Sequence, residues 1–416
     1  MVNKYQSDNE RLYGRLMAMA KIGATNEGGC NRQALTKLDI EGRELFKHWC
    51  TGLGMDVRLD SIGNLYACYS GHQRDGQTNK KILMGSHLDT QPTGGAFDGV
   101  YGVLAALEAV EVIHANNIVL PFDVEIVVWC NEEGCRFPYA MMGSAVWAGE
   151  LDLNTAYELH DKDQITVLQA LEQSNQRGDF CMPHCDVLAY FELHIEQGPI
   201  LEQENLDIGV VAGVQQMSRW HVSCHGVETH AGPTPMSVRK DPVLAVSSLL
   251  QRLYDLEGQF DEHMRLTIGC LEALPGSPNT VPSEVKFTVD LRHPLPEIHE
   301  HIENAFLDQL ETVEKGSPCR FNLEKVWQAD ATAFNSQLLG HIQSACNELG
   351  YTNEIITSGA GHDAVNLAKV VPSAMIFTPC KDGISHNAAE YLSPTQAKRG
   401  CDVLVNSIIE MAQHYA

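Results

Sequence analysis

Hydrophobic and polar positions along this chain follow two periods. Apolar residues recur every three to four positions over 6–22, and again from Thr36 to Thr51, where Leu38, Leu45, Phe46 and Trp49 share one side. The same spacing runs from Val100 to His114. It predicts helices. Residues 55–60 and 63–69, around the Ser61-Ile62-Gly63 turn, read as strands. Ile82–Met84 and Val124–Cys130 are nearly unbroken apolar runs, the pattern of strands buried on both faces. Residues 151–188 read as partly polar helical cover, and Tyr190–Gly198 returns to strand character. Strands alternating with helices predict an α/β fold with a mostly parallel sheet flanked by helices.

From residue 209 the order changes. The pattern predicts strand 209–225, helix 241–256, strands 264–274 and 284–292, helix 296–314 and strand 319–327. This is the β-α-β-β-α-β order of a ferredoxin-like α+β unit. Helix 334–349, strand Val371–Phe377 and helix 394–414 then resume the first pattern. The expected division is one discontinuous domain, 1–211 with 330–416, and an inserted domain over 212–329, a normal domain size.

Length and charge narrow the function classes. A chain of 416 residues exceeds one ordinary core. A net charge of −25 speaks against nucleic acid or an anionic membrane as partner, though not against a small anionic substrate held at a locally positive site. The 13 cysteines are scattered without a C-x-x-C pair, which fits reduced thiols. No apolar stretch reads as a secretion signal or a membrane span, so the expected location is cytoplasmic.

The candidate chemistry gathers at strand ends. His87 and Asp98 flank a Gly-rich loop after the Ile82 strand, where ligand sites of open α/β sheets lie. They suit a zinc-like ion, with Asp89 placed to accept from the far ring nitrogen of His87. Glu132 and Glu133 follow the Val124 strand, and His194 and His386 stand at later strand ends. Each alone also fits a structural histidine or a solvated acid. Their shared location favours a pair of divalent ions, with one carboxylate bridging and one glutamate free to act as general base.

Seven blocks in order, GSHLDTQPTGGAFDG, NEEGCRFPYAMMGS, ELHIEQGPILE, HAGPTPM, PNTVPSEVKFTVDLRHP, SGAGHDA and DGISHNAAE, resemble the amidase/carbamoylase branch of the M20 peptidase family. That branch contains N-carbamoyl-L-amino-acid hydrolases, β-ureidopropionases, and allantoate and ureidoglycolate amidohydrolases. The resemblance implies that His87, Asp98 and His194 hold one metal and that Asp98, Glu133 and His386 hold the other. It implies Glu132 as acid/base and Asp89 as second-sphere partner of His87. The ions would be Zn²⁺ or Mn²⁺, with Co²⁺ and Ni²⁺ suiting the same donors.

The inserted domain would be a lid and dimerisation module, with His230 acting on the neighbouring subunit's site, and hence an obligate homodimer. His230, Asn279, Arg292 and Gln197 match substrate-binding positions. Arg292 suits a substrate carboxylate held by two parallel hydrogen bonds, a surface pair with Asp290 or Glu284 being the lesser reading. His230 and Asn279 suit a developing oxyanion; His230 also fits a surface residue ahead of its Pro-rich turn. Gln197 also fits a strand cap. The Gly359 loop allows close backbone approach to a ligand, with His362 and Asp363 either functional or structural.

The implied reaction is hydrolysis of the ureido C–N bond of an N-carbamoyl-L-amino acid or N-carbamoyl-β-alanine, giving amino acid, CO2 and NH3. Rivals are an allantoate or ureidoglycolate amidohydrolase, an aminoacylase or dipeptidase, and a binding protein on the same scaffold. A histidine at 194 and an 11-residue gap between His87 and Asp98 depart from the peptidase branch.

Overall fold

A computed structural model describes residues 4–70 and 80–414. The chain divides into two compact units, Met1–Gly213 with Ala333–Ala416, and Val214–Thr332.

In the first unit α1 (Asn9–Ala20) and α2 (Lys37–Gly52) start on side-chain caps, Asp8 accepting from the Arg11 amide and Thr36 from the Asp39 amide. There follow β1 (Asp56–Leu59), β2 (Leu65–Tyr69), β3 (Lys81–His87), α3 (Val100–Ala115) and β4 (Asp123–Trp129). Three short helices, α4 (Met142–Ala148), α5 (Leu153–Glu158) and α6 (Val167–Gln173), lead to β5 (Val187–Ile195), α7 (Ile200–Gln203) and β6 (Ile208–Val214).

The inserted unit contains β7 (Gln216–His225), β8 (Thr229–His230), α8 (Pro242–Tyr254), β9 (Arg265–Thr267), β10 (Leu271–Leu274), β11 (Thr280–Val281), β12 (Glu284–His293), α9 (Pro296–Gly316) and β13 (Arg320–Ala329). The chain closes with β14 (Thr332–Ala333), α10 (Ser336–Leu349), β15 (Asn353–Ser358), α11 (Asp363–Leu367), β16 (Ser373–Thr378) and α12 (Pro394–His414).

The large sheet is mixed, which corrects the expectation of a mostly parallel one. Its order is β1-β2-β4-β3-β5-β16-β6-β14, with β15 also on β6. Within this series β4, β3, β5 and β16 run parallel to one another. The β1–β2 hairpin adds antiparallel strands on one side, and β6 lies antiparallel to β16 on the other. A five-residue connection cannot make the crossover that parallel neighbours require, so β1 and β2 must be antiparallel. Helix α3 is apolar nearly all round, and thirteen of its residues are buried. It packs on β3 and β5 with α1 and α12 over it. The site loop therefore rests on the most deeply buried helix of the unit.

The run 209–225, expected as one strand, breaks at Gln215. β6 is buried almost throughout, as a strand covered on both faces. β7 alternates buried and exposed positions, as a sheet with one solvated face does, and belongs to the second unit. The expected strand 264–274 is likewise two strands, β9 and β10, both paired with β12. The second unit's antiparallel order, β10-β12-β7-β13, is that of a ferredoxin-like unit. Leu249, Leu253, Ile302 and Phe306 of its helices pack with Val222, Phe287 and Val289 of the sheet.

Candidate metal centre

Parallel strands bring their carboxyl ends to one edge of the sheet. His87 is the last residue of β3 and His194 the second last of β5. Glu132 and Glu133 follow β4, and His386 follows β16. Asp98 stands before α3, at a turn where Gly99 has φ +66°. A Cβ at Gly99 would lie 2.3 Å from Nε2 of His87, so only glycine allows the loop this close to the imidazole.

The side chains converge on Asp98. Its Oδ1 lies 3.1 Å from His194 Nε2 and 3.8 Å from His87 Nε2. Its Oδ2 lies 3.2 Å from His386 Nε2, which is 3.5 Å from Glu133 Oε2. Two donor groups result, His87–Asp98–His194 and Asp98–Glu133–His386, each with its ligand atoms within 4.8 Å of one another. Glu132 Oε2 sits 3.4 Å from His87 Nε2. The two adjacent glutamates thus reach different histidines.

Backbone carbonyls orient two of the rings. Nδ1 of His87 donates to the Asp89 carbonyl (2.8 Å), and Nδ1 of His194 to the Ile195 carbonyl (2.9 Å). Both Nε2 atoms are thereby turned to the centre, as in histidines that bind metal. Nε2 of His194 also lies 3.2 Å from the Gly99 amide. The expected role of the Asp89 side chain needs correction: its nearest oxygen is 3.9 Å from the His87 ring. Its carboxylate instead accepts from the amides of Glu132 (3.3 Å) and Glu133 (3.2 Å). The chain turns so that Asp89 holds His87 with its carbonyl and the glutamate pair with its carboxylate.

Burial and crowding set the charges. Burial and then Asp363, Glu133, Asp89 and Asp98 push Glu132 well above the usual carboxylate range. Burial and Asp98 raise Glu133 to about 8, and burial with Asp39 raises Asp89 to about 7. Burial lowers His87 to about 4. Burial also opposes the charged forms of Asp98 and His194, but their mutual contact wins. Asp98 drops well below its usual value and His194 rises to about 9. The Asp98 carboxylate thus favours the protonated forms of His194 and His386. A pair of divalent cations fits the same place, because imidazole and carboxylate acceptors face one another across it.

Gln197, read from sequence as substrate-binding, donates from Nε2 to Asp98 Oδ2 (2.9 Å) and to the Ser385 hydroxyl (3.1 Å). It sits in left-handed backbone, φ +58°, rather than capping the strand directly. Gly359 lies in the loop between β15 and α11. That loop ends at His362, whose ring stands edge-on to His194 with centroids 4.5 Å apart.

In the second unit His230 and Asn279 are neighbours: β8 pairs His230 with Thr280 of β11, and the Ala231 amide donates to the Asn279 carbonyl. His230 is exposed, its Nδ1 accepting from the Gly232 amide at 3.1 Å. Arg292, on β12, is paired with Asp290, Nε to Oδ1 at 2.6 Å.

Sequence reading missed several supports. Glu390 is buried and accepts from the amides of Phe97 (2.9 Å) and Asp98 (3.0 Å), while Ser385 bridges it to Asp98. Glu192 accepts from Ser86, Tyr190 and the Ala364 amide. Both lay inside quoted blocks. A glutamate in an otherwise buried strand was the available signal for Glu192.

The chain matches the family described as Peptidase family M20/M25/M40 over residues 83–410 and belongs to it. It is 39% identical over 412 residues to an N-carbamoyl-L-amino-acid amidohydrolase of Rhizobium meliloti, covering 97% of this chain and 96% of that one. It is 31% identical to an allantoate amidohydrolase of Bacillus subtilis, covering 95% of each. A crystal structure of a hydantoinase/carbamoylase family amidase from Burkholderia ambifaria superposes with a TM-score of 0.92 at 42% identity, covering 99% of both chains.

Proposed function

We propose that this protein is a metal-dependent amidohydrolase that cleaves the carbamoyl C–N bond of N-carbamoyl-L-amino acids. The convergence of His87, Asp98, Glu133, His194 and His386 beside the protonatable Glu132 carries this reading. His87, Asp98 and His194 would hold one divalent ion, and Asp98, Glu133 and His386 the other. When bound, the ions supply Lewis acidity toward water and the ureido carbonyl. Glu132 in its ionised form, a strong base because burial and the neighbouring carboxylates raise its proton affinity, would take the proton of the attacking water and return it to the leaving nitrogen. Asp89 holds Glu132 and Glu133 in register for that transfer. Gln197 and Glu390 fix the Asp98 carboxylate.

Arg292 would hold the substrate carboxylate, with Asp290 limiting its swing, and His230 and Asn279 would donate to the carbonyl oxygen as its charge grows. His230 would serve the active site of a second copy, making the protein a homodimer joined through residues 214–332, which would also act as a lid. Support for such a partner is the single neighbour of β13 among the described strands and the exposed Leu323, Val326 and Trp327 on it. Thirteen unbridged cysteines support a reducing, cytoplasmic setting, with Zn²⁺ or Mn²⁺ as the ions.

The test is ammonia release from N-carbamoyl-alanine, N-carbamoyl-β-alanine and allantoate, with and without added Mn²⁺ or Zn²⁺. Metal-dependent ammonia from a carbamoyl-amino acid in preference to allantoate is expected. Preference for allantoate selects the second reading, which the Bacillus relative favours. Turnover of N-acyl amino acids or dipeptides without ammonia sinks both.

A further inference from the structure

A second set of metal-type side chains lies away from the centre, on the pair formed by α10 and α12. Glu410 and His414 are one turn apart on α12, so they share a face. His341 meets them from α10, its Nδ1 3.5 Å from Glu410 Oε1 and its ring centroid 5.3 Å from that of His414. One ligand atom from each of the three lies within 4.8 Å of the others.

Two further observations concern what those atoms are doing. Glu410 Oε2 is shielded from solvent and has no hydrogen-bond partner among the described residues, a condition that costs about 1–3 kcal/mol when nothing else relieves it. Nδ1 of His414 is 3.0 Å from the Glu410 carbonyl, which can only accept, so the ring's Nε2 keeps its lone pair for another partner. The cluster borders a cavity of about 540 Å³ whose wall includes Leu188, Leu338, Pro372 and Met411. That leaves room for a water or small ligand as a fourth donor.

We propose that His341, Glu410 and His414 form a third divalent-cation site, for an ion of the zinc class, that ties the end of α12 to α10. Two imidazoles and one carboxylate with an open fourth position are a donor set that zinc-class ions accept. The last turn of a terminal helix frays unless something ties it down. An ion bridging His414 to α10 does so without touching the catalytic residues.

The full-length protein is stripped with a chelator, reloaded with Zn²⁺, freed of unbound metal and assayed for ions per chain, beside His414→Ala and Glu410→Gln. The expected result is one ion fewer per chain in each variant than in the parent. Ammonia release by the loaded enzyme should stay within about twofold of the parent. The test rests on the difference between parent and variant, so it stands apart from the catalytic pair. Loss of one ion from a parent that holds only one would uphold this site and remove the pair. Equal ion counts in parent and variants would overturn the proposal. His414 is on the exposed final turn, so its variant keeps the core intact.

Discussion

Asp89 shows how one residue serves two supports: its carbonyl turns His87 and its carboxylate holds the amides of Glu132 and Glu133. Glu132→Gln removes the proton carrier while keeping size and burial. Its expected effect is a loss of kcat of about 10²–10⁴-fold, with metal content unchanged on elemental analysis. A near-normal rate would remove Glu132 from the mechanism. In its ionised form Glu390, raised by burial to about 7, is a charged acceptor for the Phe97 and Asp98 amides, and Glu390→Gln leaves only a neutral one. Hydrogen bonds to charged groups are worth about 1.5–3 kcal/mol, so the variant should bind metal at least tenfold more weakly by calorimetry.

At this scale the gathering of His87, Asp98, Glu133, His194 and His386 after strands was legible in the sequence, because imidazoles and carboxylates at strand ends stand out from apolar runs. The supports were not, since any residue with a carboxylate or carbonyl can supply them. Asp89 was the instructive case: the right residue was singled out, but its main chain and side chain exchange the expected duties.

Among the elements, the loop from β3 to α3 places His87 and Asp98, and Gly99 permits it. Gly99→Ala puts a methyl 2.3 Å from the His87 ring in a left-handed backbone position. The ring must shift, and the His87–Asp98–His194 group should fail to hold its ion. One metal lost per chain together with activity is the expected assay result; retention of both would show that the loop yields more than its packing implies. Helix α3 and strands β3, β4 and β16 were legible because burial on all sides leaves an unbroken apolar run. The break at Gln215 was not, because two strands in different sheets can follow each other without a turn residue. The mixed sheet was also missed. The Ser61-Ile62-Gly63 turn announced a hairpin, yet hydropathy alone does not say which edge receives it.

For the whole molecule, charge balance links metal loading to pH. Glu133 stands at about 8 and His386 is raised by its contact with Asp98. Below about 8 Glu133 carries a proton that an incoming cation must displace, and His194, at about 9, carries another. Apparent metal affinity should therefore fall as pH drops from 8 toward 6, by up to about tenfold per unit for each proton displaced. His87, at about 4, adds nothing over that range. Calorimetry in two buffers of different ionisation heat reads the released protons, and a pH-independent affinity would contradict these assignments. Loading should also stabilise the fold, by about 4 kcal/mol for an ion at a thousand times its Kd, seen as a higher Tm that chelator reverses.

The first unit leaves off at Gly213 and resumes at Ala333, and His386 of its donor cluster lies on the far side of the insert. A ribosome must therefore emit the whole insert and the strand after it before the donor cluster can close. Nascent chains arrested anywhere within 214–332 would hold His87, Asp98, Glu133 and His194 without the strand that delivers the fifth donor. Assembly of the full donor set thus waits on synthesis of the insert, and a chain terminated within it never completes the set.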